Sequence, residues 1–230
     1  NVWNNEYGIR LNGGMDNMIT NNTVQDSFLG ISLFFANNNT ISGNNASDNG
    51  RGFYLYGSSD NRIIDNKAFS NEWRGIVLVN LSTNNSIEGN SIFSTLANGI
   101  MISGSSYNTI RANLVSLNNV GVAIFASSGN GIYYNNFISN TLQAYDDTGT
   151  NSWDNGYPSG GNYWSDYIGP DLMSGPLQNI PGSDGMGDLP CKLLGDKTPL
   201  EAASMPNLDF LAARGEMGYM YPVRPGFIPE

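Results

Sequence analysis

The residues best equipped for chemistry in this chain are carboxylates, because imidazole and paired thiols are missing. Among 230 residues there is no histidine and a single cysteine, Cys191. That removes the commonest general base, the commonest transition-metal ligand and every Ser/His or Cys/His nucleophile. Asp184 and Asp188 stand in a glycine-rich run, Gly182-Ser-Asp-Gly-Met-Gly-Asp188. With Asp166 or Asp171 they could supply oxygen ligands to Ca2+, a cation that takes several carboxylates and carbonyls. A plain solvated turn would need the same residues. A second pair, Asp26 and Asp48, shares an offset in the repeat described below and so stacks on adjacent coils. Their separation there would approach that of a retaining glycosidase pair, although aspartate at a turn commonly serves the turn alone. Glu88 and Arg111 share another offset and read as a cross-rung ion pair of small worth.

Those carboxylates are positioned by a repeat. Asn-x-Ile-x-x-Asn recurs at Asn17, Asn39, Asn61, Asn85, Asn108 and Asn130, with spacings of 22, 22, 24, 23 and 22 residues. A second motif keeps phase with it: Gly30-Ile-Ser-Leu33, Gly52-Phe-Tyr-Leu55, Gly75-Ile-Val-Leu78, Gly99-Ile-Met-Ile102 and Gly121-Val-Ala-Ile124. Each repeat holds three short alternating runs between Asn, Gly and Ser, and no helix-forming segment of the leucine-rich kind. The fold class predicted is all-β: a right-handed parallel β-helix with three short strands per 22–24-residue coil. In such a coil, equal offsets stack one strand spacing apart, about 4.8 Å. Ile19, Ile41, Ile63, Ile87, Ile110 and Ile132 then form one inward stack, and Val24, Ala46, Ala68, Ile92, Val115 and Phe137 another. The asparagines from Asn22 to Asn135 fall at one corner, tolerating its left-handed backbone and bonding along the stack. The glycines from Gly30 to Gly121 are expected to mark the other tight corner.

The outward stripe of the third strand is unusually apolar. Tyr54, Val77, Met101 and Tyr145 share one offset, and Phe34, Tyr56 and Phe125 another. Such a stripe usually meets something: the folded-back C-terminal segment, another copy of the chain, or a carbohydrate stacking on the tyrosines. Asn21, Asn38, Asn45, Asn80 and Asn84 head Asn-x-Ser/Thr triplets that could carry glycans in an exported protein, though an Asn/Ser/Thr-rich repeat makes such triplets by chance.

Composition narrows the partners. Twenty acidic against 10 basic residues give a net charge of −10, which repels phosphate backbones and anionic lipid, so nucleic acid is not an expected partner. Hydrophobics at 40% and aromatics at 11% argue for a packed core rather than disorder. No apolar run approaches the roughly 20 residues of a membrane span. The chain opens at Asn1-Val2-Trp3 as a mature or trimmed chain would. Tyr7-Gly8-Ile9 is already mid-coil, so either upstream sequence or another subunit is expected to complete the stack.

After Asn135 the pattern fades into an aromatic, turn-rich run, Trp153-Asp-Asn-Gly-Tyr-Pro-Ser-Gly-Gly-Asn-Tyr-Trp-Ser-Asp-Tyr167. The division expected is β-helix over 1–150, an aromatic and Asp/Gly-rich cap over 151–200, and a short helix (207–214) with an extended tail over 201–230. The coils, this cap motif, the run from Gly182 to Asp188 and Asp196-Lys-Thr-Pro-Leu200 resemble the NosD-like β-helix proteins. That family belongs to the broader carbohydrate-binding and sugar-hydrolase repeat group and is common among secreted proteins of methanogenic archaea. The match covers about residues 8–200. Where the family shows Thr-Pro-Tyr after its acidic turn, this chain has Leu189-Pro-Cys191.

The resemblance implies an extracellular or cell-surface location, and its name suggests copper delivery, which the absent histidine disfavours. The leading expectation is a non-catalytic structural β-helix of the cell surface, whose partners are other copies of itself or surface components, self-assembling into a filament or layer. The alternative is a polysaccharide lyase or hydrolase, or a carbohydrate-binding module. The only cofactor expected is Ca2+.

Overall fold

The computed structural model describes residues 1–158, 160–175 and 179–183. The helix expected over 207–214, the tail, Cys191, Asp184 and Asp188 lie outside them. Each coil contributes one strand to each of three parallel sheets. The long sheet has seven strands, from Tyr7–Asn12 to Leu142–Asp146. The first short sheet has six three-residue strands, from Met18–Thr20 to Gly131–Tyr133. The second has eight, from Val2–Trp3 to Tyr163–Trp164. The chain is therefore the all-β parallel β-helix that its repeat predicts.

The register is the one expected from equal offsets. Ile19 pairs with Ile41, then Ile63, Ile87, Ile110 and Ile132. Val24, Ala46, Ala68, Ile92, Val115 and Phe137 form the second inward stack. The third and fourth come from the long sheet, where Ile31, Phe53, Ile76, Ile100 and Val122, and then Leu33, Leu55, Leu78, Ile102 and Ile124, are fully buried. Small residues in the second stack leave room for large ones in the third, so that Ala46 and Ala68 accompany Phe53. At the C-terminal end the Trp164 ring stacks on Phe137 at 4.7 Å, and buried Trp153 packs beside it, so two indoles roof the last coil.

The corners differ from the expectation in two ways. First, the ladder asparagines do not themselves adopt the left-handed backbone; the residue just before each one does. Asp16, Asn38, Asp60 and Asn84 precede one ladder with positive φ, and Asn21, Gly43, Asp65 and Gly89 precede the next. This frees the asparagine side chain to point inward. The ladder residue's Oδ1 accepts from the backbone N–H and the Nδ2 of its counterpart one coil earlier, as Asn66 does from Asn44 (2.9 and 3.0 Å). Its own Nδ2 donates to Asn90 Oδ1 and to the Ile41 carbonyl. Asparagine alone supplies both acceptor and donors in so small a side chain.

Second, Gly30, Gly52, Gly75, Gly99 and Gly121 sit inside the long strands rather than at a corner. None has positive φ, so what they provide is space. A Cβ on Gly52 would fall 2.7 Å from the Gly75 carbonyl oxygen and 2.9 Å from Asn71 Nδ2. The glycine lets the third ladder, through Asn49, Asn71 and Asn118, tuck beneath the strand.

Asn66→Ala would leave the Asn44 amide and the Ile41 carbonyl buried without partners, at a cost of about 3 kcal/mol. Gly52→Ala should cost about 2 kcal/mol through overpacking. Asp26→Asn, at an exposed corner, should stay within about 0.5 kcal/mol of the parent. Chemical denaturation followed by circular dichroism checks this order, and an Asn66→Ala variant as stable as the parent would refute the role given to the ladder.

Candidate functional site

Among the described residues, only the long sheet has strands that run to six residues, so it alone presents three outward rows. One row contains Leu29, Arg51, Arg74 and Asn98 in register. The middle row contains Arg10, Ser32, Tyr54, Val77, Met101, Ala123 and Tyr145, and the third Phe34, Tyr56, Val79, Ser103 and Phe125. Every residue of the sequence-expected stripe therefore lies on this one face. It is not uniformly open, because Ser32, Val77 and Ala123 are buried beneath the larger side chains of adjacent coils. The large rings stand in the first three coils and again near the last.

In the first four coils the rings interlock with arginines. Phe34 lies 5.7 Å from Tyr54, 6.0 Å from Tyr56 and 6.1 Å from Tyr7. The Arg10 guanidinium sits over Phe34 and Tyr7 at 4.5 and 4.6 Å. The Arg51 guanidinium is ringed by Trp73, Phe28 and Tyr54 at 5.1, 5.3 and 5.5 Å, each within cation–π range. Arg74 follows one coil later, directly opposite Arg51, and its Nε donates to Asn98 Oδ1 at 3.3 Å. Burial raises the Tyr54 phenol above its ordinary 10.0, an effect opposed by Arg51 and Arg74 and reinforced by Tyr56. Burial, and then repulsion from Arg51, lowers Arg74.

Reading the sequence for an apolar stripe missed these arginines. The signal was present, since Arg51-Gly52 and Arg74-Gly75 repeat the same dipeptide at the same offset. Phe28 and Trp73 were missed because they lie on the turn leading into the strand, where no alternation marks them.

The other candidates are placed separately. Asp26 and Asp48 are exposed corner residues with φ of 51° and 56°, in the row that precedes the third ladder. Aspartate is among the few types that adopt that conformation readily, which accounts for both without a reaction. Glu88 and Arg111 form the expected ion pair at 2.7 Å on the first short sheet. Asp166 is exposed just past Trp164, while Asp171 accepts from Ser183 Oγ at 2.6 Å. Of the triplet asparagines, Asn21, Asn38, Asn80 and Asn84 are exposed corner residues with positive φ, and Asn38 donates to Asp16. Asn45 differs, being half-buried on a strand with its Oδ1 enclosed.

A family model described as periplasmic copper-binding protein (NosD) matches residues 1–169. A 43-residue stretch is 60% identical to the 2,3-bisphosphoglycerate-independent phosphoglycerate mutase of Methanocorpusculum labreanum, covering 19% of this chain and 11% of the mutase. The Pyrococcus furiosus mutase is 54% identical over 43 residues, 19% of this chain and 10% of that one. The chain thus spans about a tenth of the length of these curated relatives. Among solved structures, the fold is similar to that of the periplasmic alginate epimerase AlgG (TM-score 0.59, 23% identity, 63% of this chain and 37% of that one). It is also similar to the A-module of an Azotobacter vinelandii mannuronan C-5 epimerase (0.52, 22%, 55% and 36%). The enzymatically active domain of bacteriophage CBA120 tailspike protein 2 gives 0.52, 19%, 69% and 24%. At these identities the likeness is one of fold.

The donors present do not fit the copper of the family description. The chain has no imidazole, and among the described residues no three His, Cys, Asp or Glu side chains gather where they could hold a metal ion. Of the described methionines, Met15 and Met18 stand exposed three residues apart, while Met101 and Met173 lie on other strands.

The raised Tyr54 pKa has a measurable sign. A phenol harder to ionise in the folded state contributes stability that is complete below pH 10.0 and is lost as pH rises through the folded value. A Tyr54→Phe variant should therefore lose less stability than the parent between about pH 10 and 12 and lose amplitude from the alkaline part of a tyrosinate absorbance titration. Superimposable titrations would show that Tyr54 is not shielded.

Proposed function

The chain belongs to the NosD family, and from that premise and the face just described we propose that it is a non-catalytic β-helix, working outside the cytoplasm, that holds a polysaccharide along the outer surface of its long sheet. The carrying observation is the interlocked cluster of Tyr7, Phe34, Tyr54 and Tyr56 with Arg10 and Arg51, on a molecule whose corners are mostly asparagine, serine, aspartate and glycine. A pyranose ring offers an apolar C–H face and a polar rim. Aromatic side chains match the first, and guanidinium forks match the second. The two epimerases with a similar fold act, by their descriptions, on alginate and on mannuronan, which supports a polysaccharide as the ligand class.

Binding without cleavage is supported by what the face carries. Among its described outward residues there is no carboxylate pair. Asp146, at the end of the last long strand, is engaged by Thr148, Gly149 and Asn151. Asp26 and Asp48 stand at a corner in turn conformations.

Affinity electrophoresis against a panel of soluble polysaccharides tests the proposal. The parent chain should be retarded by at least one polymer and release no new chain ends from it. Tyr54→Ala with Tyr56→Ala should weaken the retardation roughly tenfold or more, the loss expected of a binding hot spot. Retention of full affinity by the double variant, or retardation by no polymer, would refute it.

A second reading, self-association at a cell surface, has one specific observation behind it. Leu96 and Leu117 are 75% and 61% exposed on adjacent coils, with Leu114 beside them. If they are a contact between copies, light scattering should show oligomers that Leu96→Ser with Leu117→Ser dissolves; a monomeric parent would remove this reading.

A further inference from the structure

We infer that the polysaccharide held by this face is a polyuronate, and that Arg51 and Arg74 together take one of its carboxylates. This rests on the polysaccharide-binding reading above and goes further by naming the ligand's charge and the residues that meet it.

Three observations lead there. The first is charge segregation. The chain carries a net charge of −10, yet Arg10, Arg51 and Arg74 are three of the six described basic side chains and all stand on this face. The described aspartates are drawn instead to the corners, as at Asp16, Asp26, Asp48, Asp60 and Asp65. The second is a like-charge pair left uncompensated. Arg51 and Arg74 are direct register partners on adjacent strands, where like charges repel. Among the described residues no carboxylate lies within ion-pair distance of either, the one ion pair being Glu88 with Arg111 on another sheet. In a chain with twice as many acids as bases, an intramolecular counter-ion would have been readily available. The third is immobilisation: Phe28, Tyr54 and Trp73 fix the Arg51 guanidinium in place, enclosing its Nε, so the group is held ready rather than free to swing away.

The chemistry that meets these conditions is a planar anion presented repeatedly. A carboxylate matches the guanidinium fork bidentately and is held more firmly than a neutral hydroxyl. Adjacent coils advance by about 4.8 Å, close to the advance of one sugar residue along an extended polysaccharide. A chain of uronates lying along the β-helix axis would thus bring one carboxylate to the Arg51–Arg74 pair and another toward Arg10, two coils away, while its ring faces lie on Phe34 and Tyr54. A neutral glucan could use the rings and would leave the arginine pair unneutralised.

The experiment is calorimetric titration of the full chain with polygalacturonate, with alginate and with fully methyl-esterified polygalacturonate, which keeps the backbone and masks the charge. The parent should bind at least one polyuronate, more weakly as salt rises, and the esterified polymer at least about tenfold less tightly. Arg51→Gln with Arg74→Gln should lose about tenfold or more toward the polyuronate and little toward the ester, while Arg62→Gln, on the first short sheet, should bind as the parent does. An Arg74→Gln melting temperature at or above the parent's would show that the pair is not there for stability; a clear fall would count against the inference. Equal binding of charged and esterified polymer, or full affinity in the double variant, would overturn the polyuronate assignment while leaving polysaccharide binding in place. Binding of neither form would overturn both. Equal affinity for a single-stranded oligonucleotide would also overturn it, because the face would then answer to any polyanion.

Discussion

A backbone turning tightly four times in each coil must find partners for amides that no strand can reach, and asparagine ladders solve that problem at three corners, with Ser27 and Thr95 standing in for asparagine in the third. Each asparagine side chain accepts the peptide N–H of the coil before it and donates to that coil's carbonyl, so the corners are bonded along the stack as completely as the strands are. A fourth corner uses serine: Ser58, Ser82, Ser105 and Ser127 accept the peptide N–H of the coil before, but donate to a carbonyl two or three residues back in their own coil. Because each ladder residue takes its partner from the next coil, no coil is complete alone, and stability is shared between neighbours as in other repeat architectures.

This arrangement decides which residues remain free for function. Inward positions are committed to four apolar stacks, two of them on the long sheet, and ladder positions to amide chemistry. The residue before each ladder position must take a left-handed conformation, which suits aspartate, asparagine and glycine, and occasionally a side chain such as Phe35 or Tyr107 that lies over a glycine one coil away. What is left is the outer surface of the sheets. The two short sheets show only two outward residues per strand, too few for a broad platform. The long sheet shows three rows over seven coils, and there Arg10, Arg51 and Arg74 gather with Phe34, Tyr54 and Tyr56. The acidic residues, sent to the corners by backbone geometry, leave that platform positively charged on an acidic molecule.

Much of this was readable in the sequence, because a parallel stack converts equal offset into contact. The pairing of Ile63 with Ile41 and Ile87, the Glu88–Arg111 ion pair and the placing of Tyr54 and Tyr56 on one outward face all follow from counting. The Gly52 row was misjudged because glycine serves equally for a positive φ and for a close approach, and sequence does not say which. Asn22, Asn44 and Asn66 were assigned to the right corner, with the left-handed turn placed one residue too late. Both conformations sit well with asparagine, and only the hydrogen bonds distinguish them.

The sequence by itself determined the coil length, the register and the identity of the buried stacks, since a period near 22 with fixed apolar offsets admits one way of superposing the coils. It also determined that histidine chemistry is absent. Tertiary structure alone decided that Arg51 lies among Phe28, Tyr54 and Trp73, side chains drawn from three consecutive coils and from both turn and strand. It alone decided that Val77 is buried although it points outward, and that Arg51 faces Arg74 with no carboxylate near among the described residues. The physical reason is that backbone pairing repeats with the sequence, whereas the packing of long side chains above a sheet depends on the sizes of neighbours one coil up and one coil down.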